Sequence, residues 1–241
     1  MNQHSDRPET TLFMIESLDG KISTGDTDEL DVDKDFKRIV GVKEGLSQYY
    51  QLEKQTDPFS LNSGKVMAKI GVNKRTEEPT KMGCSFIIID NKPHLTERGV
   101  EYLAKWVKTL YLVTANKDHA VYKVKGNYPN IEILKYEKQI DLRDVFVRMK
   151  RDFGAERITL QSGGTLNSQW LRQGLVDHIS VVFAPCLIGG NNTPSLVDGE
   201  SLHSQKDLTH VKALKLIKCT VLNDSYVHLF YDVVQNTHLT V

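Results

Sequence analysis

Arg157-Ile158-Thr159-Leu160-Gln161-Ser162-Gly163-Gly164-Thr165-Leu166 decides the fold. Arg157–Leu160 carries β-branched and apolar residues with no breaker, so it reads as a short strand. Leu166, Trp170, Leu171 and Leu175 then recur at helical spacing toward Gly174, a C-cap residue. Strand, glycine turn and helix follow in that order. Such an order leaves unpaired amides and partial positive charge at a helix start, where a phosphate can be held. Glycines let a diphosphate come close to the main chain. The turn is not Gly-x-Gly-x-x-Gly and it falls late in the chain, which argues against a standard Rossmann first turn. Read blandly, it is an ordinary strand-to-helix turn.

Working outward, strands and helices alternate. Thr11-Leu12-Phe13-Met14-Ile15 is a continuous apolar run, the mark of a buried strand. It ends in Ser17-Leu18-Asp19-Gly20, placing a serine and an aspartate at the strand's C-terminal end, where open α/β sheets bind ligands. Asp31 or Asp33 is a candidate cap for a helical stretch interrupted by Gly41 and Gly45. Phe59–Asn62 reads as a second strand, and Ser63-Gly64-Lys65-Val66 opens a short helix. This second glycine turn has a lysine suited to a further phosphate, such as the 2′-phosphate of NADP, although Gly64 and Lys65 alone are also an ordinary turn and an exposed cation. Residues 71–83 form a polar loop. Further strands fall at 84–90, 109–114 and 131–134, with helices beginning near Thr96, Asp118 and Asp141. Gly154 is a helix-ending residue. Residues 177–185 form another buried strand. The tail, 213–222 and 226–234, is two strands joined at Asn223-Asp224, a hairpin signal. The expected architecture is α/β: a mostly parallel sheet with helices on both faces and a C-terminal antiparallel hairpin. Residues 1–10 are expected to be a flexible tail before a single domain, 11–241.

Composition bounds function. Hydrophobic residues make up 39% and charged residues 26% of 241 residues, enough for a substantial core. Lys+Arg and Asp+Glu are both 31, so no basic excess points to nucleic acid or an anionic membrane surface. No apolar stretch reaches membrane-span length. Cys84, Cys186 and Cys219 are widely spaced and form no metal-binding pattern, which fits reduced thiols in a cytoplasmic protein. The histidines, His178 among them, have no evident catalytic partner.

Five elements occur together: Ser17-Leu18-Asp19-Gly20-Lys21-Ile22, Gln161-Ser162-Gly163-Gly164-Thr165-Leu166, Gly174-Leu175-Val176-Asp177, Pro185-x-Leu187-x-Gly189-Gly190 and Thr193-Pro194. In that order the chain resembles the riboflavin-biosynthesis reductase family, with its three-layer dihydrofolate-reductase-like fold. The resemblance implies an NADPH-dependent reductase that turns the ribose of a ribosylamino-pyrimidinedione 5′-phosphate into a ribityl chain. It makes Asp19 the catalytic, substrate-side aspartate. It assigns Ser162, Gly163, Gly164, Thr165 and Leu166 to the cofactor diphosphate, and Ser63, Gly64, Lys65 and Val66 to the adenosine end. Ser17, Gln161, Pro185, Leu187 and Gly189 fall on the substrate side. It also implies a homodimer. Many members have a glutamate where this chain has Gln161-Ser162, and a glutamine cannot supply a proton or charge. No His-x-Glu with Pro-Cys-x-x-Cys is present, so a stand-alone reductase is expected rather than a deaminase–reductase. Two other readings stay open: reduction of a different small carbonyl or imine, and nucleotide binding without catalysis.

Overall fold

The structure, a computed structural model of the chain, describes residues 6–235, 237 and 239. They divide into two compact units. Unit 1 holds residues 6–9 and 57–162, and unit 2 holds residues 10–56 and the described residues from 163 onward.

In unit 1 the strands β2 (Phe59–Ser63), β3 (Ser85–Ile89), β4 (Leu110–Thr114), β5 (Ile131–Lys135) and β6 (Arg157–Leu160) lie side by side in the order β5-β4-β3-β2-β6. Every pairing among them is parallel. The order reverses between β2 and β6. A parallel sheet of this kind opens a ligand crevice beyond the strand ends at that reversal. The central strands read as unbroken apolar runs because both faces are covered. Phe86, Ile88, Leu110 and Leu112 pack with Val100, Leu103 and Ala104 of α4 (Glu97–Trp106) and with Val121 of α5 (Val121–Val124). On the opposite face Tyr111 meets Phe153 of α6 (Leu142–Phe153), ring centroids 4.7 Å apart. Thr96 and Asp141 cap α4 and α6, and Gly154 ends α6 in the left-handed conformation. The loop at 71–83 is anchored where the sequence shows only polarity. The Asn73 Oδ1 atom accepts from the Thr96 amide, and the Arg75 guanidinium stacks on Tyr102 and Trp106.

Unit 2 is built on β1 (Glu9–Ser17), β7 (His178–Ala184), β9 (Val227–Val233) and β8 (Leu214–Val221), in that order. β1 and β7 are parallel, and β9 runs antiparallel to both β7 and β8. One face of this sheet, Phe13, Ile15, Val182 and Ala184, packs on Val32, Phe36, Leu46 and Tyr49. Val32, Phe36 and Tyr49 come from α1 (Val32–Asp35), the following 3₁₀ turn and α2 (Ser47–Glu53), and Leu46 is the residue that leads into α2. The helical stretch after Asp31 is therefore broken into pieces, with Asp31 as the cap. Trp170 of α7 (Gly164–Arg172) is fully buried.

Two expectations are corrected. β1 begins at Glu9, and Thr10 is buried, its hydroxyl donating to the Leu175 carbonyl and its amide to Asp177; residues 1–5 of the expected tail lie outside the described residues. In the hairpin turn the positive φ angles fall on Asp224 and Ser225, with the Tyr226 amide closing on Asn223. The two central residues are thus one position later than Asn223-Asp224, because such a turn needs left-handed backbone at both. β8, the outer strand of the expected hairpin, is exposed along nearly its whole length.

Candidate active site

The end of β1 fixes Asp19. The Ser17 hydroxyl donates to its Oδ1 at 2.5 Å, while the amides of Ile188 and Gly189 donate at 3.1 and 2.6 Å. Those two amides converge because the Pro185–Gly190 loop turns through Gly189, whose φ of 74° suits glycine. The Ser17 hydrogen bond, helped by the two amides, holds the Asp19 carboxyl down at about 2. Asp19 is thus held as a hydrogen-bond acceptor. Leu18 and Leu187, which flank Asp19 and its amide donor Ile188 in the sequence, are exposed. Cys186 in the same loop has its thiol pushed up by burial and then by the Asp19 charge. The loop is stitched to the β1 end: Leu18 N–H donates to Cys186 O, Ile22 N–H to Pro194 O, and Lys21 Nζ to Thr193 O at 3.0 Å. Ser17, Asp19, Pro185, Leu187 and Gly189 are therefore one constellation within unit 2.

The Gly163-Gly164 turn opens α7, as its strand–glycine–helix order predicts. A Cβ placed on Gly163 would meet nothing, whereas one on Gly164 would collide with the Ser195 carbonyl and the Asp198 carboxylate. The two glycines therefore serve different ends: Gly163 leaves the main chain open to an approaching group, and Gly164 makes room for the protein's own loop. Thr165 is exposed, Leu166 half-buried and Ser162 fully buried.

In unit 1, Ser63 caps α3 (Gly64–Lys69), its hydroxyl accepting from the Val66 amide at 3.3 Å. Lys65 is exposed at this turn. Gly64 is bare because the Asp90 carboxylate occupies the space of its side chain. Gln161 follows β6 directly, and its Oε1 accepts from the Ser60 hydroxyl at 2.8 Å, which in turn accepts from Asn62 at 3.2 Å. The amide group of Gln161 is thereby oriented, a role a glutamate would fill with charge.

Sequence reasoning missed Asp90, Asp198, Ser60 and Asn62. Asp90 at the end of an apolar strand and Asp198 before Gly199 were the available signals. His178, read as structural, bonds Asp232 at 2.8 Å and stacks on Phe230. No group of His, Cys, Asp and Glu among the described residues is arranged to hold a metal ion, and no described helix is long and apolar enough to cross a membrane.

A parallel sheet with glycine turns at strand ends and a closing hairpin defines a dihydrofolate-reductase-like α/β protein. Residues 8–227 match the model of the RibD C-terminal domain, and the chain belongs to that family. It is 25% identical over 215 residues to the 2,5-diamino-6-ribosylamino-4(3H)-pyrimidinone 5′-phosphate reductase of Methanothermobacter thermautotrophicus, covering 83% of this chain and 88% of that protein. The Archaeoglobus fulgidus protein of the same name is 26% identical over 208 residues, covering 81% and 88%. Among solved structures, Acinetobacter baumannii RibD has the same fold, with a TM-score of 0.66 at 14% identity. The alignment covers 95% of this chain and 59% of that one, so this chain spans little more than half of the longer protein. The riboflavin biosynthesis reductase of Saccharomyces aligns over 97% of this chain and 93% of its own, with a TM-score of 0.60 at 15% identity.

Proposed function

We propose that this chain is an NADPH-dependent reductase that converts the ribosyl group of an amino-ribosylamino-pyrimidine 5′-phosphate to ribityl in riboflavin biosynthesis. The observation that carries the reading is Asp19, a carboxylate fixed by Ser17, Ile188 and Gly189. It stands in a family whose named relatives are reductases of such a substrate.

The residues present suit the cofactor. Gly163 leaves an open approach to the backbone at the start of α7, and the first amides there suit a diphosphate. Ser162, Gly164, Thr165 and Leu166 complete that turn. Ser63, Gly64, Lys65 and Val66 would hold the adenosine end, Lys65 supplying a point charge for a 2′-phosphate. The bound nicotinamide would supply hydride, and the protein would supply alignment and electrostatics. Asp19 accepts hydrogen bonds from the sugar hydroxyls and fixes the reacting carbon. Gln161, steadied by Ser60, offers its amide N–H groups to the substrate, and Pro185 and Leu187 are substrate-side residues of the Asp19 constellation. A homodimer and a cytoplasmic location belong to this reading; light scattering tests the first and cell fractionation the second.

The test is loss of reduced-nicotinamide absorbance when the protein meets NADPH with the diamino-pyrimidinone phosphate and, separately, with its deaminated pyrimidinedione counterpart. Turnover of either to a ribityl product supports the reading and tells which pyrimidine is used. Binding of NADPH with no turnover of either would overturn it. Asp19→Asn is expected to lower kcat about 100-fold with cofactor affinity nearly unchanged, since a transition-state contact costs rate rather than cofactor binding. Equal loss of both would remove Asp19 from the chemistry.

A further inference from the structure

β3 is apolar from Phe86 to Ile89, but its neighbour β2 carries two buried polar side chains. Ser60 and Asn62 are 5% and 4% exposed. Ser60 stands opposite Thr159 and Leu61 opposite Leu160, and the Gln161 amide donates to the Leu61 carbonyl at 2.8 Å. Ser60, Asn62 and Gln161 therefore share one face of the sheet where the strand order reverses. The hydrogens in this row run one way. Asn62 Nδ2 donates to Ser60 Oγ at 3.2 Å, and the Ser60 hydroxyl donates to Gln161 Oε1 at 2.8 Å. An amide nitrogen can only donate and a serine has one hydrogen to give, so the Ser60 hydrogen is committed to Gln161. The Asn62 side chain has no other hydrogen-bond partner among the described residues. Burying two polar side chains is costly unless their bonds serve a purpose.

We propose that Ser60 and Asn62 are positioning residues that make Gln161 a hydrogen-bond donor of fixed direction, so that the substrate is recognised there through an acceptor oxygen. The inference rests on the reductase reading and on the place of Gln161 on the substrate side. Gln161 is half-buried and within reach of a ligand, whereas Ser60 and Asn62 act through it. A side-chain amide is planar, so holding Oε1 on Ser60 directs Nε2 away from Ser60. An unrestrained glutamine could turn over and present either group. Here a turned amide would face Ser60 with N–H, and the Ser60 hydrogen, hemmed in by donors from both sides, would be buried without an acceptor. A glutamate at this position would also accept from Ser60, but it has no N–H to present. The two buried residues of β2 therefore set what position 161 can recognise.

The test is steady-state kinetics of the full chain with NADPH and whichever pyrimidine it turns over, with NADPH affinity measured separately by fluorescence titration. Ser60→Ala should raise the KM for the pyrimidine about five- to tenfold, while kcat and NADPH affinity change less than about twofold. Asn62→Asp, close in shape, should raise KM in the same way, because its carboxylate draws the Ser60 hydrogen to itself and releases Gln161. Gln161→Glu keeps the Ser60 bond but offers no N–H, and should raise KM at least as far. In a Gln161→Ala background, Ser60→Ala should have no further effect on KM, whereas a general disturbance of folding would persist there. Additive losses in that cycle, a KM unmoved by Gln161→Glu, or an equal fall in NADPH affinity would each overturn the proposal. Turnover of neither pyrimidine by the unaltered protein is a separate failure: it removes the reductase reading, and this inference with it.

Discussion

Both glycine turns put an aspartate carboxylate where a side chain would stand, but the two aspartates are held in different ways. Asp90, beside Gly64, is 1% exposed. It accepts from the amides of His94 and Leu95 and bonds the rings of His94 and His119. The Val121 amide donates to His119 Nδ1, so His119 carries its proton on Nε2 and gives it to Asp90. Asp198, beside Gly164, is half-buried and accepts from the amide and hydroxyl of Ser195 in its own loop. One carboxylate is clamped by donors from the approaches to two helices, the other by a single surface loop. Similar glycine signatures therefore conceal a rigid wall in one case and a yielding one in the other.

Gly64→Ala should be the most damaging change, because the new methyl group would press on a carboxylate with no room to move. A loss of about 3 kcal/mol in urea denaturation is expected. Asp90→Asn comes next, at about 2 kcal/mol, since an amide cannot accept all the donors aimed at it. Burial alone would raise the Asp90 carboxyl, but the bonds from His119, His94 and the amides outweigh it and the net shift is downward. A lowered folded-state value means that the Asp90 contribution is complete above the ordinary aspartate range and is lost as pH falls below it. Asp90→Asn should therefore flatten the acid limb of the stability profile. Gly164→Ala should cost less, about 1–2 kcal/mol, because the Ser195–Asp198 loop can shift. If Gly164→Ala proved worse than Gly64→Ala, the contrast between the two walls would fail.

Gly163→Ala sharpens the comparison from the other side. Its φ of −72° suits any residue and no atom stands near the added methyl, so stability should change by less than about 0.5 kcal/mol. Fluorescence titration of NADPH should nonetheless weaken, because the methyl would stand where the diphosphate is proposed to approach. Unchanged affinity would show that Gly163 is not the point of approach.

Element order was legible because the apolar runs are long and their helix caps conventional: Thr96, Asp141 and Gly154 do what their types suggest. Asp19 was legible as the carboxylate at the end of the first strand. Its anchoring was only partly legible: Ser17 lies two residues away, but the Ile188 and Gly189 amides that hold the same carboxylate lie about 170 residues away in sequence. For the same reason the division of labour between Gly163 and Gly164 could not be read: the aspartate that distinguishes them lies in a loop with no periodic signal. The burial of Glu16 was hidden by its own strand. A glutamate at the end of an apolar run reads as the place where the run stops, and only pairing with β7 shows that its side chain stays inside.

The exposed hairpin has a consequence for solution behaviour. β8 presents Leu214, Leu216 and Ile217, each more than 40% exposed, along the outer edge of the unit 2 sheet, and a free edge of that kind is a template for aggregation. Lys215 and Lys218 interrupt the apolar run, and the register shift between Leu216 and Lys218 twists the strand out of the flat geometry that stacking requires. Two lysines and a bulge thus act as gatekeepers of solubility for an edge that would otherwise invite another strand.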